Sequence, residues 1–249
     1  MQNIYDDEKF SKDYDELRFS KNGENANDLI EIPNFKLLMP DVKDKTILDL
    51  GCGYGIMDKY YKELGAKKVV GIDISKHMLE IANKDYKLDG ITYKELSMEN
   101  ISSIEEKFDI VMSSLAFHYV ENYDKLIKDI YDLLNKDGVL VFSMEHPMTT
   151  CFKPTENIKK SHIEFDNKYY GLFSDYNREG SRVKNWNDRD VIFYHRNMET
   201  IINTLINNGF KIDKILEPKP SEEAIKKVEK YIHQYDRPFF LFIRAVKEN

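Results

Sequence analysis

The chain is poor in the residues that mark several protein classes. Only two of its 249 residues are cysteines, Cys52 and Cys151. No disulfide framework can staple such a chain, and a reduced, cytoplasmic setting is the expectation. The six histidines are scattered, without H-x-x-x-H spacing, and no Cys-x-x-Cys pair exists; no metal site is expected. Basic residues are not in excess. Lysine and arginine number 37 against 44 acidic residues, for a formal net charge of −7. That balance disfavours a general nucleic-acid surface, which needs a basic face to displace counterions, though a local basic groove would survive it. No apolar run approaches the roughly 18 residues of a membrane span. The amino terminus, Met-Gln-Asn-Ile-Tyr-Asp-Asp-Glu, is acidic and has no apolar signal core. There is no internal repeat and no low-complexity tract.

What remains is a strongly charged chain (33 %) of moderate apolar content (41 %), long enough for one large α/β domain with an insertion or for two small domains. Residues 5–40 read as a helical region: Phe10, Tyr14 and Leu17 share one helical face, and Ile30, Ile32, Phe35, Leu38 and Met39 form a second apolar cluster. A regular alternation then begins. Thr46–Leu50 predicts a strand, and Ile56, Tyr60 and Leu64 a helix stopped by Gly65. Lys68–Ile72 predicts a second strand, followed by a helix capped by Ser75. Ile91–Leu96 and Phe108–Ser113 are further strands, and Leu126, Ile127, Ile130, Leu133 and Leu134 stripe a helix. Lys136-Asp137-Gly138 reads as the turn into a fifth strand, Val139–Met144. Such alternation means βαβ crossovers, a parallel sheet, and a ligand site beyond the carboxyl ends of the strands. The rhythm breaks over 145–190, a stretch rich in Tyr, Phe, Asn, Asp and Gly with no clear amphipathic helix. It reads as an insertion, a small antiparallel lid joined by Val191–Tyr194. A helix through Met198, Ile201, Ile202 and Leu205, a strand Lys211–Glu217, a charged helix Ser221–Gln234 and a strand Phe239–Val246 complete the pattern. The expected division is a helical cap over 1–45 and a catalytic domain over 46–249, with the lid at about 145–195.

The most informative stretch is Ile47-Leu48-Asp49-Leu50-Gly51-Cys52-Gly53-Tyr54-Gly55. An apolar strand runs into three alternate glycines, whose missing Cβ atoms let the backbone turn tightly and approach a ligand. Asp49 stands just before the turn. Its charge would repel a phosphate but suit a ligand carrying an ammonium and a sulfonium, so the pattern points to S-adenosylmethionine. A nicotinamide-binding fold would share the strand–glycine–helix start, but its fingerprint is G-x-G-x-x-G. Here the third glycine comes one residue early, at Gly55, and Ile56 occupies the fingerprint position.

Together with Gly71-Ile72-Asp73-Ile74-Ser75, Met78, the run Phe108 to Tyr119, and Asp137-Gly138, this stretch resembles the class I S-adenosylmethionine-dependent methyltransferases. The similarity is to the branch of ubiquinone/menaquinone-pathway and other small-molecule enzymes, clear over 46–144 and looser over 197–246. It implies a Rossmann-like, seven-stranded, mostly parallel sheet with the last strand antiparallel and helices on both faces. It also implies roles by position. Gly51, Cys52, Gly53, Tyr54 and Gly55 would pass under the methionine part of the cofactor, with Asp49 beside them. Asp73 would accept the ribose hydroxyls, and Ile74 and Met78 would pack on adenine or ribose. Ser97, Met98 and Glu99 fall at the adenine contacts, with serine at 97 where many relatives are acidic. Ser114 and Leu115 stand at the tip of strand four, where backbone carbonyls face the cofactor's ammonium.

For the acceptor, a general base is expected after strand five or in the insertion. Glu145-His146-Pro147 offers His146 first, with Glu145 as partner or alternative; Tyr194-His195-Arg196 offers His195. Arg196 could pair with a substrate carboxylate. Tyr14 and Arg18 would line the pocket from above, and His118, Tyr170, Trp186 and Tyr194 would complete a pocket for a flat or aromatic molecule. The expectation is therefore a cytoplasmic methyltransferase of a small-molecule acceptor, monomeric or homodimeric, without nucleic-acid or membrane partners. Two other readings stay open: a methyltransferase of tRNA or protein, and a noncatalytic subunit that only binds the cofactor.

Overall fold

Helices cover both faces of a seven-stranded sheet in the computed structural model, which describes residues 2–20, 23–166, 168–186 and 188–248. Residues 21 and 22, within the expected amino-terminal helical region, lie outside the described residues. In chain order, α1 (Glu8–Asp15) runs on through a wider turn, Glu16–Ser20. A second wide turn, Asn27–Glu31, leads into α2 (Ile32–Leu38). Then come β1 (Thr46–Leu50), α3 (Ile56–Glu63), β2 (Lys68–Asp73), α4 (Lys76–Ile81), β3 (Ile91–Glu95), β4 (Phe108–Ser113), α5 (Tyr123–Leu133) and β5 (Leu134–Glu145). After α6 (Pro147–Thr150) come β6 (His162–Phe165), β7 (Lys168–Gly171), β8 (Gly180–Trp186) and β9 (Arg189–His195). The chain closes with α7 (Met198–Asn207), β10 (Phe210–Leu216), α8 (Glu222–Lys227) and β11 (Phe240–Lys247).

The main sheet is ordered β10-β11-β5-β4-β1-β2-β3. β1 pairs in parallel with β2 and β4, β2 with β3, and β4 with β5; β11 lies antiparallel to both β5 and β10. The central strands are near-continuous apolar runs because both of their faces are covered. Alternate residues supply two cores. Leu48, Val70, Val111, Leu140 and Phe142 face α5 and α7. Ile47, Val69, Ile110, Met112 and Val141 pack with Ile30, Phe35, Leu38 and Tyr61 on the other side. α5 presents Leu126, Ile127, Ile130 and Leu133 to the first core, and the Asn122 side chain accepts from the Lys125 N–H to cap it.

Two expectations need correction. The turn at Lys136-Asp137-Gly138 does not precede β5 but is a bulge inside it. Pairing with β4 jumps from Phe108↔Leu134 to Ile110↔Val139, and Asp137 takes φ 58°. The helix expected over Ser221–Gln234 breaks after α8, because Val228 is extended (φ −141°, ψ 91°) and a tighter turn, Glu229–Tyr235, follows. Periodicity ran across the break because both pieces bury residues, Ala224 in one and Tyr231 and Gln234 in the other. The stretch after β5 contains the one-turn α6, begun by His146, whose ring accepts from the Met148 N–H.

Between β5 and α7 the chain leaves the sheet for two separate hairpins, β6–β7 and β8–β9. The amino-terminal segment packs on β9: Ile4, Phe10 and Val191 form a third buried cluster, flanked by Tyr5, Tyr14, Tyr119 and Trp186. Trp186 meets Phe10 and Tyr14 edge-on, at 5.2 and 5.7 Å between centroids. Two remote segments thus meet above the carboxyl ends of the strands. No helix among the described residues is long and apolar enough to cross a membrane.

Candidate active site

The cavity beneath that junction is built from the strand tips upward. β1 ends in the glycine loop, held against β2 by the Gly51 and Cys52 N–H groups, which donate to the Ile72 carbonyl at 2.9 and 3.0 Å. Gly51 sits at φ 75°, and a Cβ there would lie 2.8 Å from the Ala116 Cβ. No larger residue fits without displacing the β4 tip. Asp73, ending β2, clamps the loop. Its Oδ2 accepts from the Gly53 N–H and its Oδ1 from the Ser75 N–H, both at 2.9 Å. Burial raises its carboxyl, and these N–H donors offset part of the effect.

Asp49 is buried beside Asp58 of α3. Burial raises both carboxyls, the Asp49 charge pushes Asp58 further up, and neither Asp58 oxygen has a hydrogen-bond partner among the described residues. The β4 tip is strained: Leu115 takes φ 51°, fixed by its N–H donating to the Ser143 carbonyl and hydroxyl at 3.1 and 3.0 Å. Above this tip lies Glu31. Its Oε1 accepts from the hydroxyls of Ser114 and Ser143 at 2.9 and 2.5 Å, while its buried Oε2 has no partner. Burial pushes Glu31 up to about 7 against the pull of those hydroxyls and of Arg18.

The roof comes from Gln2, Ile4, Tyr5, Tyr14 and Arg18, and from Val191 and Ile192 of β9. Tyr54 ties the glycine loop to the roof by donating to Asp15, and His77 Nε2 lies 3.0 Å from the same carboxylate. Asp6 accepts from the Ser75 hydroxyl at 2.7 Å and from the His77 N–H at 3.2 Å. Among the described side chains lining the cavity, three carboxylates (Glu31, Asp49, Asp73) face one cation, Arg18. That balance fits a ligand carrying positive charge and fits a pyrophosphate poorly.

Most of the expected cofactor residues are brought together here: Asp49, Gly51, Cys52, Gly53, Tyr54, Asp73, Ile74, Met78, Met98, Ser114 and Leu115 all line the cavity, as do Tyr14 and Arg18. Three are not. Gly55 starts α3, Ser97 caps the next turn by accepting from the Glu99 N–H, and Glu99 lines a separate surface cleft with Arg196.

The expected general bases also lie elsewhere. His146 is buried with both ring nitrogens engaged: Nε2 donates to Glu217 at 2.7 Å and Nδ1 accepts from Met148 at 3.1 Å. His195 donates to the Tyr176 carbonyl and accepts from the Thr150 hydroxyl, at 2.9 and 2.8 Å. Glu145 is ion-paired with Lys184; burial would raise its carboxyl, but the lysine holds it below its usual range. His118 is buried, accepts from the Glu145 N–H, and is pushed down to about 4 by burial, so it is neutral. Arg196 is buried over Tyr123 and donates to the carbonyls of Val120 and Glu121. Tyr194, beside it, has its hydroxyl on Glu121. Tyr170 is exposed on β7, and Trp186 supports the roof without lining the cavity. Tyr170 apart, a hydrogen bond, ion pair or packing contact to a remote residue, invisible in spacing, engages each of these side chains.

Sequence reasoning missed Glu31, Tyr5 and Tyr119, which line the cavity, and Asp58 beneath it. For Glu31 a signal existed: one acid between Ile30 and Ile32 inside an apolar cluster.

A Rossmann-like sheet with an acidic, glycine-floored cleft at its strand tips defines a class of cofactor-binding transferases, and comparison with known proteins narrows it. Residues 48–142 match a family described as a methyltransferase domain. An S-adenosylmethionine-dependent methyltransferase structure from Mesorhizobium loti is 32 % identical, with 87 % of this chain and 97 % of that one covered and a TM-score of 0.80. A Haemophilus influenzae protein that carries no functional name is 38 % identical over 250 residues, covering 98 % of this chain and 96 % of its own. The ribosomal protein L11 methyltransferase of Thermotoga maritima is 32 % identical over 98 residues, 39 % of this chain and 36 % of that protein. The chain belongs to the S-adenosylmethionine-dependent methyltransferases. It is an enzyme of that class, and S-adenosylmethionine is its cofactor.

Proposed function

We propose that this methyltransferase acts on a small, flat or apolar acceptor bound between the glycine loop and the roof of Tyr5, Tyr14, Tyr119, Val191 and Ile192. The observation that carries the reading is the roof itself. The amino-terminal segment is tied over the strand tips by Asp6 to Ser75 and His77, and by the Asn3 side chain to the Ile74 carbonyl. A covered cleft with apolar and phenolic walls suits a small molecule better than a folded macromolecule. The similarity to the L11 enzyme, confined to 98 residues, supports a shared cofactor half and carries nothing about the acceptor.

When bound, S-adenosylmethionine supplies an electrophilic methyl group on a sulfonium. Asp73 would hold the ribose, and the loop Gly51 to Tyr54 would lie along the methionine part. Ile74, Met78 and Met98 would enclose the adenine. The remaining work of the chain is to align the acceptor with the methyl group and to exclude water. Burial raises the phenols of Tyr5 and Tyr119, which hydrogen-bond one another. Both stay protonated; the Tyr5 O–H is spent on Tyr119, which leaves the Tyr119 O–H as the donor that would orient the acceptor. Hairpin β8–β9 and the amino-terminal segment would act together as the lid. The test is a screen of small-molecule acceptors with methyl-labelled cofactor, run beside protein and tRNA acceptors. Label transfer to phenols, amines, thiols or carboxylates that is lost in Asp73→Ala supports the reading; transfer to macromolecules alone overturns it.

A further inference from the structure

We propose that Glu31 receives the α-ammonium group of the cofactor's amino-acid head, with Arg18 beside it taking the carboxylate. The inference rests on the cofactor assignment and extends it to a residue outside the glycine loop. Glu31 is fully buried, and its two oxygens are unlike. The hydroxyls of Ser114 and Ser143 both donate to Oε1, whereas Oε2 has no donor from the protein. A buried carboxylate oxygen without a partner is costly, and it is tolerated where a ligand supplies the donor. Glu31 lines the cavity, so that ligand is the one the cavity holds.

Its place in the fold selects the ammonium. Ser114 follows the end of β4 and Ser143 lies in β5, while Asp73 ends β2, with β1 between them in the sheet. Two to three strand spacings, about 10–14 Å, separate these tips, comparable with the span from a ribose through sulfur to the amino-acid head. Arg18 donates to Asn25 and Asp28 at 3.1 and 3.2 Å, one turn before Glu31, and lines the same cavity. A carboxylate and a guanidinium set side by side match an α-amino acid, which presents one ammonium and one carboxylate. Of the described carboxylates that line the cavity, Glu31 is the one with a buried oxygen lacking a partner: Asp73 accepts two backbone N–H groups, and the unpartnered oxygens of Asp58 lie outside the cavity lining.

The experiment is isothermal titration of the full chain and Glu31→Gln at pH 8 with S-adenosylhomocysteine and with its desamino analogue. The substitution should weaken S-adenosylhomocysteine roughly 10- to 100-fold, the range of one charged hydrogen bond. Both proteins should bind the desamino analogue alike, which also shows that the variant is folded. Unchanged S-adenosylhomocysteine affinity in the variant overturns the proposal, including the case where only turnover falls and Glu31 acts as a base. Equal loss for both ligands also overturns it, since Glu31 would then only shape the cleft. If the wild-type chain binds neither ligand, the cofactor assignment itself fails and takes this inference with it.

Discussion

Removing the Glu31 charge should stabilise the ligand-free protein at alkaline pH. The carboxyl rises from its ordinary 4.5 to about 7, chiefly through burial, with Ser143, Ser114 and Arg18 opposing and Asp28 adding to the rise. Between those two values the folded protein holds a proton that the unfolded chain has released. Stability therefore falls as pH rises through that window, and above it the buried charge costs about 3 kcal/mol, at 1.36 kcal/mol per unit. Glu31→Gln removes this cost. The new amide can still accept from both serines but leaves its own N–H groups unpaired, which returns about 1 kcal/mol of it. The variant should thus be more stable than wild type by about 2 kcal/mol at pH 8. At pH 5, where the folded carboxyl is neutral, the two should agree within about 1 kcal/mol. For a chain of this length that is a rise in Tm of roughly 4–8 °C at pH 8. Thermal unfolding of both proteins across pH 5 to 8, without ligand, measures it. A variant that is no more stable at pH 8, or that differs from wild type by the same amount at both ends, would refute the reasoning and mean that Oε2 is already satisfied.

The other consequences concern the loop and the displaced histidine. Asp73→Ala should weaken S-adenosylhomocysteine by about 100-fold or more, since it removes the ribose acceptor and frees the Gly53 and Ser75 N–H groups; titration giving wild-type affinity would remove the ribose assignment. Gly51→Ala should cost roughly 1–3 kcal/mol in urea unfolding, because φ is 75° and the added methyl meets Ala116. An unchanged midpoint would mean that the β4 tip yields freely. His146→Ala should lower stability by about 1–3 kcal/mol, through the lost contacts to Glu217 and Met148, while preserving kcat. A large fall in kcat with normal stability would restore the histidine to the mechanism.

The amino-acid sequence by itself determined what short-range chemistry decides. β1 and β4 fall where their apolar runs predict, Ser75 caps α4, and the alternate glycines after β1 turn toward Asp73. These features depend on period, capping and the freedom of glycine, all written within a few residues. Tertiary structure alone decided which polar side chains share a space. Glu31 meets Ser114 and Ser143 across 83 and 112 positions of chain. His146, adjacent to the end of β5, turns away because Glu217, 71 positions on, holds its ring. The roof exists because Phe10 and Tyr14 find Trp186. Such pairings depend on how layers stack and which side chains stay unpaired once buried, and no local pattern of residues encodes either.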